Sequence, residues 1–533
     1  MNRERHKRNY DLHSWTGITL GLIVFVVAFT GCFALFYNEI GTWEDPALRV
    51  SLPEEPVPIA SSFEDWNQET TGGEPAPFAS FYPPSETRPF YEGYIFDSEN
   101  ELHHLRWSSV TGERLSERGT GLSIWLLDIH RDFMWPGFLG GRTIGRGLVG
   151  IAGIVLMLAI LTGVIAHTKI REEAYSMRLK RSPRLKWQDS HKVIGLWGLP
   201  FFIMISFTGA VLGIIALLSP IVAAIAFKGD VEALEHAVFG DHAEPTGQLV
   251  QMISLDEIQS MRHPESGFLP ELITMEHYGD EAAVINIFYP ADTELLMYEI
   301  ISLSGATGER VVNAQLEATN AASRATGAMA PLHYATYGGI WLKFLYLALG
   351  LGLAVITALG SMMWIERRKH GNEGAKPAAF YDRLSHLNTG VVMGLPVASL
   401  ALFHLDKLYA GAEAARLAAT GWTYFAIWGA GIAYAFLRRN DYATTRELMA
   451  LAGGLAVLIA VTNGVTTGDW LWSRLASGHT TSGWVDACFV IFGVAALGVS
   501  AVLPRARRGK VTARNVAEGA QIPADGIVRG TRT

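Results

Sequence analysis

Apolar positions along this chain gather into long uncharged runs, at Trp15–Tyr37, Gly147–Ala166, Val193–Leu218 and Phe344–Ile365, then Leu387–Leu405, Leu417–Leu437, Leu448–Gly468 and Ala487–Leu503. Each is about the 20 residues that a helix needs to cross the hydrocarbon of a bilayer. Pro200 and Pro220 punctuate the third run, which reads as one spanning helix followed by an interfacial extension. Between the runs, residues 38–129 and 219–335 mix polar and apolar positions and contain β-like stretches. These are Ile95-Phe96 and His104–Trp107 in one segment, and Ala283–Phe288 and Leu295–Leu303 in the other. The pattern predicts an integral membrane α-helical bundle of about eight transmembrane helices with two α+β domains outside the membrane. The divisions fall at 1–37 (cytoplasmic N-terminus and first helix), 38–129 (first outer domain), 130–218 (two helices around a basic loop), 219–335 (second outer domain), 336–505 (five helices) and 506–533 (cytoplasmic tail).

Composition agrees with that reading. Of 533 residues, 18% are charged, below the roughly 25% of soluble domains. The two cysteines, Cys32 and Cys488, lie within or beside apolar runs, which excludes a disulfide framework and a cysteine-ligated cluster. Lys and Arg cluster before the first helix (Arg3, Arg5, Lys7, Arg8), between the second and third (Lys169 to Lys192), and after the fourth, sixth and eighth. With eight crossings every cluster falls on one side, so both termini are expected in the cytoplasm and both long connections outside. Those connections are acidic: 17 Asp/Glu against 5 Lys/Arg in 38–129, and 17 against 4 in 217–335. Such a surface disfavours nucleic acid and suits a neutral or cationic ligand better than an anionic one. Phe29-Thr30-Gly31-Cys32 loosely resembles a lipoprotein cleavage box, but Phe is a poor first residue and cleavage would destroy the first helix.

The first half of the chain occurs twice. Asp11-Leu12-His13 is followed by Gly17 and Phe29-Thr30-Gly31; Asp189-Ser190-His191 is followed by Gly195 and Phe207-Thr208-Gly209. From His to Thr is 17 residues in both copies. In the outer segments Thr111-Gly112-Glu113-Arg114 matches Thr307-Gly308-Glu309-Arg310, each a turn after a β-like stretch. Another histidine, His130 or His333, precedes the next helix. Each unit therefore runs helix, outer domain, helix, and the copies are expected to be related by a pseudo-twofold along the membrane normal. Helices five to eight show no such repeat.

That symmetry would bring His13 near His191 on the cytoplasmic side and His130 near His333 on the outer side. Neutral imidazoles facing one another from two helices are what a six-coordinate haem b requires, with Gly17, Gly21, Gly31, Gly195, Gly198, Gly209, Gly338 and Gly339 leaving room for a flat macrocycle. Interfacial anchoring, helix capping, and metal or proton handling stand as alternatives for the same histidines. His167 lies at the cytoplasmic end of the second helix, and His386 and His404, at the two ends of the fifth, are candidate accessory ligands. His103, His104, His236, His242, His263 and His277 read as surface residues of the outer domains. The chain has no phosphate loop, nucleophile elbow, zinc helix or convincing dinucleotide fingerprint. Reducing equivalents would have to come from another protein or a quinone.

Several stretches resemble the PepSY-associated transmembrane family of iron-regulated membrane proteins, whose relatives include haem-containing ferric-siderophore reductases. They are Tyr10-Asp11-Leu12-His13-Ser14-Trp15-Thr16-Gly17, Thr162-Gly163-Val164-Ile165-Ala166-His167, Trp187-Gln188-Asp189-Ser190-His191 with Pro200-Phe201, Pro331-Leu332-His333-Tyr334, Tyr337-Gly338-Gly339, and Leu387-Asn388 near Gly394-Leu395-Pro396. The resemblance spans about residues 8–400. It implies PepSY-like outer domains, a bacterial inner membrane with periplasmic loops, and two haem b groups held by His13, His130, His167, His191 and His333. It further implies electrons passed from a cytoplasmic or quinone-linked donor to a periplasmic ferric siderophore, releasing Fe(II) for uptake. Bis-histidine ligation would leave no open iron position, so the siderophore would be reduced without coordinating that iron. The chain departs from the family after Pro200-Phe201, where Phe202 stands in place of the histidine that often follows, which leaves His167 and His13 as competing partners for His191. The alternative is a PepSY-type binding module for a protease, or a transport component without redox activity.

Overall fold

The computed structural model describes residues 3–99, 101–115, 121–167, 175, 183–230, 233, 244–290, 298–311, 327–370, 376–409, 411, 413–477 and 480–503. Most of the basic residues of the loop expected between helices two and three, His236, His242 and the tail 506–533 lie outside these residues.

The protein is mostly helical with one sheet, and it is a multi-pass membrane protein. The long helices are α1 (Arg3–Ala34), α5 (Gly141–Ala166), α6 (Pro183–Trp197), α7 (Leu199–Ala226), α10 (Gly339–His370), α11 (Ala378–Leu408), α12 (Glu413–Arg438), α13 (Asp441–Thr467) and α15 (Thr480–Val502). Short helices α2 (Tyr37–Glu44), α3 (Ala60–Thr71), α4 (Gly121–Asp132), α8 (Leu255–Ser260), α9 (Met329–Tyr334) and α14 (Leu471–Ala476) lie between them. Among the described residues six helices are long and apolar enough to cross a membrane: α1, α5, α10, α11, α13 and α15. Leu185–Trp197 and Leu199–Ile215 make a seventh if counted as one span, bent by 70° where Gly198 and Pro200 interrupt the backbone ladder. The expected sixth run is helical within α12 but is not among these; its Gly, Thr, Trp and Tyr residues lower the mean hydropathy.

The first five long helices pack as the repeat requires. α1 lies against α10 as α7 lies against α5, and α1 meets α5 as α6 meets α10. Gly150 and Gly213 let the backbones of α5 and α7 meet, since a Cβ on either would come within 2.8 Å of the other helix's backbone. Helices α11, α12, α13 and α15 form a second group whose buried residues share a core with α1 and α4, around Trp43, Leu395, Phe403 and Tyr424.

Outside the helices the two connections meet in one sheet, where two separate domains were expected. Strands β1 (Ala76–Tyr82), β2 (Phe90–Phe96), β3 (Leu102–Ser108), β4 (Leu272–Tyr278), β5 (Val284–Pro290) and β6 (Tyr298–Ser304) run in the order β3-β2-β1-β4-β5-β6. The central β1 and β4 are antiparallel, with Ser80 opposite Thr274, so a twofold passes between the copies. Their inward side chains share one core, including Phe63, Phe81, Trp107, Met275 and Ile287. Asp256 ahead of β4 accepts hydrogen bonds from Ile59 and Ala60 N–H at the start of α3, a cap supplied by the other repeat. After β3 and β6 the chain folds back at Gly112 (φ 73°) and Gly308 (φ 71°), the turns expected from Thr-Gly.

Candidate functional site

The structure forms both expected histidine pairs. The rings of His13 on α1 and His191 on α6 have centroids 6.2 Å apart at an interplanar angle of 74°. The rings of His130 on α4 and His333 on α9 are also 6.2 Å apart, at 27°. The 17 residues from His13 to Thr30 rise about 25 Å along α1, so the pairs sit towards opposite ends of the bundle.

Each ring is held in the same way. His13 Nδ1 lies 2.8 Å from Ala159 O, His191 Nδ1 2.9 Å from Ile356 O, and His130 Nδ1 2.9 Å from Val27 O. His333 Nδ1 lies 3.0 Å from Thr208 Oγ1, whose own proton goes to Met204 O. The three carbonyls can only accept, so a neutral His13, His130 or His191 carries its proton on Nδ1 and leaves the Nε2 lone pair free; His333 is set the same way where the Thr208 hydroxyl spends its proton on Met204 O. Among the described residues Nε2 of none of the four has a hydrogen-bond partner. A glycine backs each ring: a Cβ at Gly163 would lie 3.0 Å from His13 Cε1, at Gly31 2.9 Å from His130 Cε1, at Gly209 2.9 Å from His333 Cε1, and at Gly360 3.3 Å from His191 Cε1.

These features fit a metal held between two imidazoles. A ring nitrogen is about 1.1 Å from its centroid, so an ion about 2 Å from two opposed nitrogens sets the centroids about 6 Å apart. The anchored Nδ1–H is the outer hydrogen bond that metal-binding histidines carry. One turn from His13 and His191, a Cβ at Gly17 or Gly195 would meet nothing within 4 Å, which leaves the flank of the inner pair open to a flat group.

The other expected histidines stand apart. His167 ends α5, where its backbone N–H donates to Val164 O, and neither ring pair includes it. His386 Nδ1 is 2.7 Å from Asp441 Oδ1, in a cluster between α11 and α13. His404 has both nitrogens engaged, with Thr462 Oγ1 and Leu455 O, and so joins two helices. His104 stacks on Tyr94 and bonds Glu92. The carbonyl anchors and the glycines Gly163 and Gly360 were not foreseen. The recurring dipeptide Thr30-Gly31, Thr162-Gly163 and Thr208-Gly209 was the available signal, for its glycine faces a histidine each time.

The sheet meets α2 and the start of α4 at a shallow crevice of about 20 Å³, lined by Tyr37, Asn38, Arg88, Glu92, Arg106 and Ser123. Ser123 is seven residues before His130, about 10 Å along α4. Burial works against the charge of Glu92, but the hydrogen bond from His104 and the Arg106 guanidinium prevail and hold its carboxyl down to about 2. A depressed carboxylate stabilises the fold above its unfolded value of 4.5 and loses that contribution as pH falls towards 2. The expected loss is about 3 kcal/mol. Tryptophan fluorescence of the detergent-solubilised protein should therefore report weakening of the sheet between about pH 4.5 and pH 2, and Glu92→Gln should flatten that dependence.

The profile of the PepSY-associated TM region matches residues 10–367. The chain belongs to the PepSY-associated transmembrane family. The match takes in all four paired histidines and every strand of the sheet, and it ends within α10. Among curated proteins, the uncharacterized protein PA4219 of Pseudomonas aeruginosa is 31% identical over 352 residues, covering 63% of this chain and 84% of that protein. In this PepSY-associated chain the helices α11 to α15 therefore lie beyond the family region.

Proposed function

We propose that the protein is a haem-containing reductase of the bacterial inner membrane, with both termini cytoplasmic. It would carry electrons from a cytoplasmic or quinone-linked donor to a periplasmic ferric siderophore and release Fe(II) for uptake. The observation that carries this reading is the doubled pair of half-buried imidazoles, each with Nδ1 engaged by a backbone carbonyl or a threonine hydroxyl and its ring centroid 6.2 Å from its partner's. His13 with His191, and His130 with His333, would hold the groups, and haem b bound there would supply a one-electron carrier near each membrane face. The chain's own part is to fix four ring orientations: Ala159, Ile356 and Val27 carbonyls and the Thr208 hydroxyl set the tautomers, and four glycines admit the rings. Eight crossings, with α6–α7 as one bent span and α12 as another, put the sheet and its acidic segments on the periplasmic side.

The test is the absorption spectrum of the purified protein in mild detergent, oxidised and dithionite-reduced, with a pyridine haemochrome count. Two low-spin haems b per chain are expected. A colourless protein from haem-replete cells would overturn the reading and favour a PepSY-type binding module.

A further inference from the structure

We propose that Glu44, Arg416 and Asp406 form a clamp that positions His130, and that supplying it is a task of the unrepeated helices α11 and α12. Glu44 is fully buried. Its Oε1 accepts from Leu122 N–H at 2.8 Å and its Oε2 from Ser123 N–H at 3.0 Å. These are first-turn amides of α4, which no carbonyl of their own helix can reach and whose end of the helix dipole favours an anion. The carboxylate that satisfies them comes from α2, 78 residues earlier.

That carboxylate is itself held from α11 and α12. Arg416 Nη1 donates to Glu44 Oε1 at 3.1 Å and also to Asp406. Lys407 Nζ donates to Trp43 O and Glu44 O and lies 4.3 Å over the Trp43 ring. The four charged side chains are buried and sum to zero, and burial makes each depend on its partners. The contact is close: a Cβ on Gly121 would lie 2.2 Å from Leu417 Cδ2 and 3.2 Å from Arg416 Nη2. One turn on, Trp125 packs on Tyr424 with centroids 4.4 Å apart.

α4 is a rod of 12 residues, about 18 Å long, tied at its start by Glu44 and near its end by His130 Nδ1 to Val27 O. A shift at the first tie moves the ring at the second. The repeat mate is built otherwise. α9 has six residues, and among the described residues no side chain accepts from its first-turn amides; Tyr346 Oη instead donates to Leu332 O beside His333. The outer pair thus joins a ring clamped by the second helix group to a ring carried on a short turn. Glu44 is a positioning residue. Its consequence for haem rests on the proposed function, whereas its hold on α4 does not.

The test uses the full chain in detergent, wild type against Glu44→Ala and Glu44→Gln, with two readouts. In protein produced without haem, hydrogen exchange of residues 121–132 should be about tenfold faster in Glu44→Ala, intermediate in Glu44→Gln, which keeps one acceptor, and unchanged at 329–334. In haem-loaded protein the outer spectral component should shift or vanish while the inner remains. Unchanged exchange in α4, or loss of both components together, would overturn the clamp. If the wild type takes up no haem, the proposed function fails and the exchange difference alone decides the clamp. Should Glu44→Ala not accumulate, Glu44→Gln carries the test alone, and unchanged exchange of residues 121–132 in that variant overturns the proposal.

Discussion

His333→Ala is expected to leave one haem per chain and to abolish reduction of a ferric siderophore offered on the outer side. The ring is one of two whose centroids lie 6.2 Å apart, and among the described residues no other histidine ring stacks on either. Removing an outer hydrogen-bond partner costs a metal site about 10- to 100-fold, and removing the ligand itself should cost more. The inner pair, over 20 Å away along α1, should keep its group and its spectrum. Electron paramagnetic resonance separates the two sites independently of activity. With haem bound, imidazole planes close to perpendicular would give a strongly anisotropic signal and planes closer to parallel a rhombic one, so pairs set at 74° and 27° should be distinguishable. The rhombic component should vanish in His333→Ala. Retained outer reductase activity with that component gone would rule out the outer pair as the exit for electrons.

The second large effect comes from residues that carry no chemistry. Gly31→Val and Gly209→Val each place a branched side chain where even a Cβ would lie 2.9 Å from an imidazole carbon. The rings cannot retreat, since Nδ1 ties one to Val27 O and the other to Thr208 Oγ1. Overpacking of this kind costs about 1–3 kcal/mol, and here it acts on ligand orientation. Both variants should lose the outer component and keep the inner one. Gly163→Val should do the reverse, because its Cβ faces His13 at 3.0 Å. Gly498→Ala, where a Cβ meets nothing within 4 Å, serves as the control. Equal loss of both components in Gly31→Val would mean that the glycine holds the bundle together instead of admitting one ring.

Much of this site could be read before any coordinates. The 17-residue spacing from His to Thr in both copies is a local property of a helix, and equal spacing on two helices puts equivalent residues at equal depth. A twofold between the copies would bring His13 to His191 and His130 to His333, and the structure chose His13 over His167 as the partner of His191. The Thr-Gly turns at 111–112 and 307–308 were likewise local, because only a left-handed residue closes them.

The joining of the outer segments was not legible. β1 and β4 carry ordinary apolar residues and were not recognised as strands, and the bonds that pair them link residues nearly 200 positions apart. No pattern within either segment states which edge it offers. The same holds for Glu44 with Arg416, 372 residues apart, and for the carbonyls that orient the four rings. The chain alone therefore determined most of the long apolar helices, the repeat and the pairing of His130 with His333, and narrowed the partner of His191 to His13 or His167, since these follow from periodicity and symmetry. Only the tertiary structure decided the tautomer of each ring, the single sheet above them and the clamp on α4. Those depend on backbone groups and buried charges, which every sequence has and only a packed fold brings into contact.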